Sequence, residues 1–331
     1  MSTEIDPDAT RPPRPRVSTG VLPSIAEVTA LLDEAHGRYR HLDEGDVADY
    51  IPSLGEADPS LFGISVCGVN GGISSVGDAL REFSIQSISK VFVFALVCQH
   101  SGHDAVSELV GVNSTGLPFN SVMAVELNGG NPMNPLVNAG ALATTSLVPG
   151  DDAEEKWAFI QHGLSEFAGR PLELDQSTFE SETATNQRNM AIARLLQSYG
   201  RMNFDPIVTT EVCTKQCSLL VSARDLAVMA ATLACGGVNP VTGIRVVDAR
   251  VARDTLSVMA TAGLYELSGD WLFEVGVPAK SGVSGGIVAV SPGKGGLGTY
   301  SPRLDPAGNS VRGQRTARFL SIALGLDIFA S

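Results

Sequence analysis

The chain carries strand signals at its two ends and helix signals between them, and this arrangement limits the fold more than any other feature. Residues 61–78 (LFGISVCGVNGGISSVGD) alternate in polarity around Asn70-Gly71-Gly72. Asn-Gly supplies the positive φ angles of a tight two-residue turn, so this stretch predicts a β-hairpin. At the far end, Phe273-Glu-Val-Gly276, Gly286-Ile-Val-Ala-Val-Ser291 and Gly298-Thr-Tyr-Ser301 are short β-rich runs split by Gly and Pro. The middle, about residues 91–235, reads as helical and loop-rich. Its clearest helix runs from Asp225 to Cys235, with Ser222 before it and Gly236-Gly237 after it. Further helices are expected from the Ser24-Ile-Ala-Glu27 capping box onward, over Asp248 to Met259, and over Arg312 to Leu326. Strands at both ends with helices between predict one antiparallel sheet with an inserted helical region, an α+β plan. The expected organisation is a disordered tail (1–22) and one domain (23–331). Its sheet part spans about 23–86 and 236–331, and its helical part about 87–235.

Charge and cysteine usage exclude several partners. Lys and Arg total 23 against 36 Asp and Glu, a formal net charge of −13. A nucleic-acid or anionic-membrane surface needs the opposite balance. The longest apolar run, Val91 to Cys98, is far short of the ~18–20 residues of a spanning helix. The opening MSTEIDPD has neither the basic nor the apolar region of an export signal. The five cysteines, Cys67, Cys98, Cys213, Cys217 and Cys235, show no CxxC spacing. Free thiols in a reducing cytoplasm are expected.

Two motifs are set aside. Gly293-Lys-Gly295-Gly-Leu-Gly298 matches GxGxxG, but Tyr300-Ser-Pro302 follows where a helix would have to start. It reads as a glycine-rich hairpin. His36, His41, His100, His103 and His162 show no metal-ligand spacing and suit surface or helix-cap positions.

The informative stretch is Phe83-Ser-Ile-Gln-Ser87-Ile-Ser-Lys90. Residues three apart share a helix face, so S-x-x-K sets an amine over a hydroxyl. A helix start also aims free N–H groups at the same point. Burial of Lys90 at the head of Val91-Phe-Val-Phe-Ala-Leu-Val97 would lower its pKa, and the neutral amine could then take the serine proton. A second element, Lys280-Ser281-Gly282-Val283, lies on or beside a late strand. S-x-x-K early with K-[ST]-G late is the pattern of serine β-lactamases and penicillin-binding proteins. There the late strand's N–H joins that of the serine as an oxyanion hole.

Further segments extend the likeness. They are Asp49-Tyr50-Ile51-Pro52, Asn134-Pro-Leu-Val-Asn138-Ala-Gly140, Ser181-Glu182, Arg188-Asn189, Gln216-Cys-Ser218, Gly263-Leu-Tyr265-Glu-Leu-Ser-Gly269 and Pro278-Ala-Lys-Ser-Gly-Val283. With them the chain resembles the bacterial and kidney-type glutaminases from about Ile25 to about Leu326. That family is serine-dependent and has the β-lactamase-like fold. The resemblance implies Ser87 as nucleophile, Lys90 as base and Tyr265 as proton relay. It implies substrate contacts at Tyr50, Ser87, Asn138, Glu182, Asn189, Tyr265 and the backbone of Val283, with Gln86 preceding the nucleophile as in the family. One position departs: four residues before the cysteine of Gln-Cys-Ser the family usually has tyrosine, and this chain has Cys213.

The residue chemistry suits L-glutamine as the small-molecule substrate. Its ammonium needs a carboxylate, for which Glu182 is the candidate. Its α-carboxylate needs donors, which Asn138, Asn189 and Tyr50 can supply. Hydrolysis to glutamate and ammonia through a Ser87 acyl-enzyme calls for no metal and no cofactor. The resulting expectation is a cytoplasmic glutaminase acting as a homodimer or homotetramer. The alternatives are a catalytically weak amino-acid-binding member and another β-lactamase-like amidohydrolase, such as one that processes β-lactams.

Overall fold

A computed structural model of the protein describes residues 20–330. The strands are β1 (Gly63–Gly68), β2 (Ile73–Gly77), β3 (Phe83–Ser84), β4 (Leu220–Val221), β5 (Ala279–Gly282), β6 (Gly286–Ser291) and β7 (Gly295–Tyr300). Five of them form one antiparallel sheet in the order β2-β1-β7-β6-β5, and β3 pairs with β4 separately. The two ends of the chain therefore build a common sheet, as the sequence predicts. The helices used below are α1 (Ile25–Tyr39), α2 (Ser89–Ser101), α3 (Asn138–Ser146), α4 (Gln176–Thr185), α5 (Gln187–Ser198), α6 (Pro206–Cys217), α7 (Ala223–Ala234), α8 (Ala249–Ala262), α9 (Ser268–Val275) and α10 (Val311–Leu324).

Both sheet faces are covered, and β1, β6 and β7 are buried along their whole length. Alternation then decides which layer each side chain joins. Ile287 and Ala289 pack with Leu32 of α1 and Leu320 of α10, while Val288 and Val290 join the core that includes α7. The GxGxxG stretch is explained by this second layer. A Cβ on Gly296 would stand 2.3 Å from the Cβ of Ala230, and one on Gly298 would stand 2.1 Å from the carbonyl oxygen of Ala223. The glycines let α7 lie directly on β7, so α7 packs on the sheet although it belongs to the inserted stretch of sequence.

Local structure differs from the sequence reading at a few places. Residues 1–19 of the expected tail lie outside the described residues. Phe273-Glu-Val is helical, within α9: Trp271 and Val275, one turn apart, are buried, whereas Phe273 is 92% exposed. A strand would have put Phe273 and Val275 on one face. The hairpin connection is four residues long (69–72) rather than two, and only Gly71 takes a positive φ, +82°. Asn70 instead accepts the N–H of Gly72 on its side chain at 3.1 Å, an Asx turn. Ser24 caps α1 by accepting from the N–H of Glu27 at 3.3 Å.

Candidate functional site

Ser87 does not lie in the α-helix itself. It sits in a 3-10 turn, Gln86–Ile88, that runs directly into α2, with Lys90 in the first turn of that helix. Both side chains are buried, Ser87 at 8% and Lys90 at 5% exposure. Among the described residues, two non-glycine residues have positive φ: Gln86 at +52° and Tyr265 at +55°. Left-handed backbone at such residues costs on the order of 1–3 kcal/mol each and persists where the surroundings impose it. Here one precedes the serine, and the other carries a hydroxyl that interacts with it.

Five segments meet around this turn. Tyr265 also donates to the carbonyl of Ser281 on β5 at 3.2 Å. Lys280 of β5 is fully buried, donates to the Ser281 carbonyl at 2.7 Å, and holds its Nζ 4.1 Å from the centre of the Tyr265 ring. Lys90 donates to Oδ1 of Asn138, the first residue of α3, at 2.6 Å. Asn138 donates in turn to Oδ1 of Asn189 on α5 at 2.9 Å. From α4, Glu182 accepts the amide of Gln86 at 2.5 Å.

The turn opens into a cavity of about 910 Å³. Tyr50, Gln86, Ser87, Lys90, Asn138, Glu182, Asn189, Cys213 and Val283 all line it. Tyr50 is 59% exposed. Tyr265 does not line the cavity. It reaches Ser87 from behind, with its ring packed on Phe119 of the wall at 4.7 Å between centroids. Val283 clusters with Ala48, Ile51, Leu54 and Leu304, so the early and late parts of the chain are knitted together beside the serine. A second concavity, of about 770 Å³ between α7 and Arg170, contains none of these residues, and its Arg170 is paired with Asp225 and Glu82.

Burial tunes the ionisable groups. Lys90 is held below the ordinary lysine range by desolvation. Lys280 is pushed well below it by desolvation, reinforced by the nearby Lys90. Desolvation raises Glu182 to about 7, against the opposing pull of the Gln86 hydrogen bond and of Lys90. Burial raises Tyr265 as well. The result is a buried amine with access to its neutral form beside a buried hydroxyl, and a carboxylate that titrates near neutrality.

A family model described as Glutaminase matches residues 45–329. The chain belongs to the glutaminase family. It is 56% identical over 315 residues to Glutaminase 2 of Yersinia pestis, covering 95% of this chain and 93% of that one. The solved structure of a probable glutaminase, ybaS, superposes with a TM-score of 0.92 at 43% identity, covering 93% of this chain and all of that one. A solved structure of Mglu in its glutamate form gives a TM-score of 0.86 at 39% identity over 93% of this chain and 70% of that one. The fold is thus the β-lactamase-like one of this glutaminase family.

Three parts of the site escaped the sequence reading of this glutaminase. Lys280 is visible in the sequence only as a motif letter, because its complete burial against Tyr265 is a tertiary fact. Cys217 stands one turn after Cys213 on α6 and lines the same cavity; the spacing of four was a visible signal. The wall at residues 304–308 comes from the loop before α10, whose Asp305-Pro-Ala-Gly308 reads only as a turn.

The Cys213 thiol is held below the ordinary thiol value, chiefly by the neighbouring Cys217. The adjoining cavity has space for a larger side chain. Cys213→Tyr is therefore expected to add a hydroxyl to this wall and to lower KM for glutamine by a factor of roughly 2 to 13, the range of one neutral hydrogen bond. Turnover should change little. Steady-state ammonia release checks this, and a folded variant with a higher KM would show a wall already packed around the cysteine.

Proposed function

We propose that this glutaminase releases ammonia from L-glutamine through an ester on Ser87, with Lys90 as the base. The observation that carries the reading is that Ser87, Lys90 and Glu182 line one cavity. One oxygen of Glu182 is engaged by Gln86, and the other is available for the substrate ammonium. At rest Lys90 faces Asn138 and Ser87 faces Tyr265. Attack requires the amine to turn to the serine, and substrate entry that draws on the Asn138 and Asn189 amides loosens the Lys90–Asn138 contact. Such hydrogen bonds commonly tighten only with substrate bound. Lys90 then takes the serine proton as oxygen attacks the δ-carbonyl. The N–H groups of Ser87 and Val283 hold the oxyanion. A proton returned through Lys90 or Tyr265 expels ammonia, and water releases glutamate.

The chain is further read as a single glutaminase domain (23–331) working in the cytoplasm as a homodimer or homotetramer. Five unpaired thiols support the reducing compartment. No helix among the described residues is long and apolar enough to cross a membrane. A coupled ammonia assay on glutamine and asparagine, run beside nitrocefin hydrolysis, tests the reaction. Binding of glutamine without ammonia release would favour the silent amino-acid-binding reading instead.

Glu182 gives this reading a pH signature. A carboxyl that titrates at about 7 in the free enzyme is neutral below that value and ionised above it. Because only the ionised form attracts an ammonium, KM for glutamine is expected to fall as pH rises through about 7. Glu182→Gln should raise KM sharply, since unpairing a buried charged contact costs about 2–5 kcal/mol. It should also flatten the pH dependence of KM. A pH series of initial rates for both proteins decides the point, and an unchanged kcat/KM in the variant would make Glu182 a structural carboxylate.

A further inference from the structure

Cys213 and Cys217 close the last turn of α6 and line the same cavity as Ser87. A buried cysteine usually serves as a small apolar filler, but these two have polar company. They lie one helical turn apart on α6, each acts on the ionisation of the other, and Cys213 also feels Thr145. The hydroxyl of Ser89 lies 3.8 Å from the Cys217 sulfur, and both thiols feel the charge of Lys90. The pair is divided: Cys213 is held below the ordinary thiol value, chiefly by Cys217, and Cys217 above it, chiefly by Cys213 and then by burial. Cys67 and Cys98 differ from both, being buried, with burial pushing each thiol up to about 12.

We propose that Cys213 and Cys217 form an oxidant-sensitive thiol pair in the wall of the glutamine pocket, which takes a hydroperoxide and closes to a disulfide that weakens glutamine binding. Cys213 is the attacking thiolate. Its sulfur bonds to the terminal peroxide oxygen as the O–O bond breaks, the other oxygen leaves as alkoxide (hydroxide for hydrogen peroxide), and the sulfur becomes a sulfenic acid. Cys217 then attacks that sulfur. The S–S bond forms, the S–O bond breaks, and the departing oxygen leaves as water with the Cys217 proton. One peroxide is reduced and two thiols are oxidised.

The helix end is placed to allow this closure. Residues four apart on a helix hold their Cβ atoms about 5–6 Å apart, and a disulfide needs ~3.5–4.5 Å. The last turn of α6 must therefore tighten. It is already drawn toward 3-10 geometry, because the N–H of Ser218 is shared between the carbonyls of Thr214 and Lys215. Thr214, between the two cysteines, accepts the amide of Asn186 at 2.6 Å. Asn186 joins α4 to α5, and those helices carry Glu182 and Asn189. Closing the pair thus pulls on the contacts read above as holding the substrate's ammonium and carboxylate. The effect on KM rests on that reading of the cavity, whereas the thiol chemistry does not.

The sequence supplies a clean assay. Trypsin cuts after Lys215, so Cys213 and Cys217 fall on different peptides, 202–215 and 216–224. Full-length enzyme is treated with hydrogen peroxide, its remaining thiols are alkylated, and it is digested without reductant. The expected result is a cross-linked 202–215/216–224 peptide, with KM raised about tenfold or more, equal to ~1.4 kcal/mol or more. Dithiothreitol should reverse both changes, and added glutamate should slow the cross-link. Cys213→Ser and Cys217→Ser should each keep their own untreated KM after peroxide. Alkylation mapping of the wild-type chain gives the same answer without variants. Absence of the cross-link would overturn the proposal, as would a peroxide effect that persists in both variants or a cross-link that leaves KM unchanged. The acyl-enzyme reading fails separately, on the turnover of Ser87→Ala.

Discussion

Ser87→Ala is expected to release ammonia from glutamine at least about a thousandfold more slowly than the parent while keeping its fold. Loss of a nucleophile in a covalent mechanism typically costs three or more orders of magnitude, with a remnant rate from the oxyanion hole and binding alone. The fold should survive because the serine side chain caps neither the 3-10 turn nor α2. Its interaction with Tyr265 is worth at most that of one neutral hydrogen bond, about 0.5–1.5 kcal/mol. That shifts Tm by only a few degrees in a domain of this size. Ammonia release and a thermal melt on the same preparation give both numbers. Retention of more than about a tenth of parental turnover would rule out the ester on Ser87.

Lys90→Arg should be almost as inactive, for a different reason. The mechanism needs an amine able to shed its proton, and burial has already lowered Lys90 toward that state. A guanidinium stays protonated at every accessible pH. In the parent, kcat should rise with pH through a midpoint well below the free-lysine value of ~10.4. Lys90→Met, which keeps the length and loses the amine, should abolish that limb together with activity. Stability provides a second reading. The folded value lies below the unfolded one, so the penalty for burying the charged amine is full at low pH. It disappears as pH rises from the folded value to the unfolded one. Stability should therefore climb across that window, and Lys90→Met should flatten the part of the climb that Lys280 does not supply. An Arg variant with near-parental kcat would move the base role to Tyr265.

Much of this architecture could be read from the residues, because two periodicities and one spacing carry most of it. The alternation in residues 61–78 and the short apolar run 286–291 marked strands that the structure joins in one sheet. The Ser87–Lys90 spacing placed hydroxyl and amine at one helix start. What stayed hidden was set by tertiary packing. Phe273-Glu-Val alternates like a strand, yet Trp271 and Val275 bury at helical spacing. The hairpin connection, residues 69–72, is two residues longer than a tight turn, and the Asn70 side chain, accepting the N–H of Gly72, replaced the expected backbone geometry. The resting partners of the reactive groups, Asn138 for Lys90 and Tyr265 for Ser87, join segments far apart in sequence. No local pattern announces them.

The sheet order sets a timetable for synthesis. β1 is complete once Gly68 has left the ribosome, but its partner β7 does not exist until Tyr300 has been added. Until then β1 and β2 form a hairpin with one edge unpaired, and the inserted helices must wait beside it. Val283 and the 304–308 wall are also late arrivals, so a nascent chain that already contains Ser87 and Lys90 has no closed pocket around them. Non-local pairing of this kind is slow and leaves strand edges exposed in transit. Truncating the chain before β5 should therefore yield an aggregating fragment rather than a weak enzyme. Ser87 and Lys90 would be present in sequence but have no sheet to stand on.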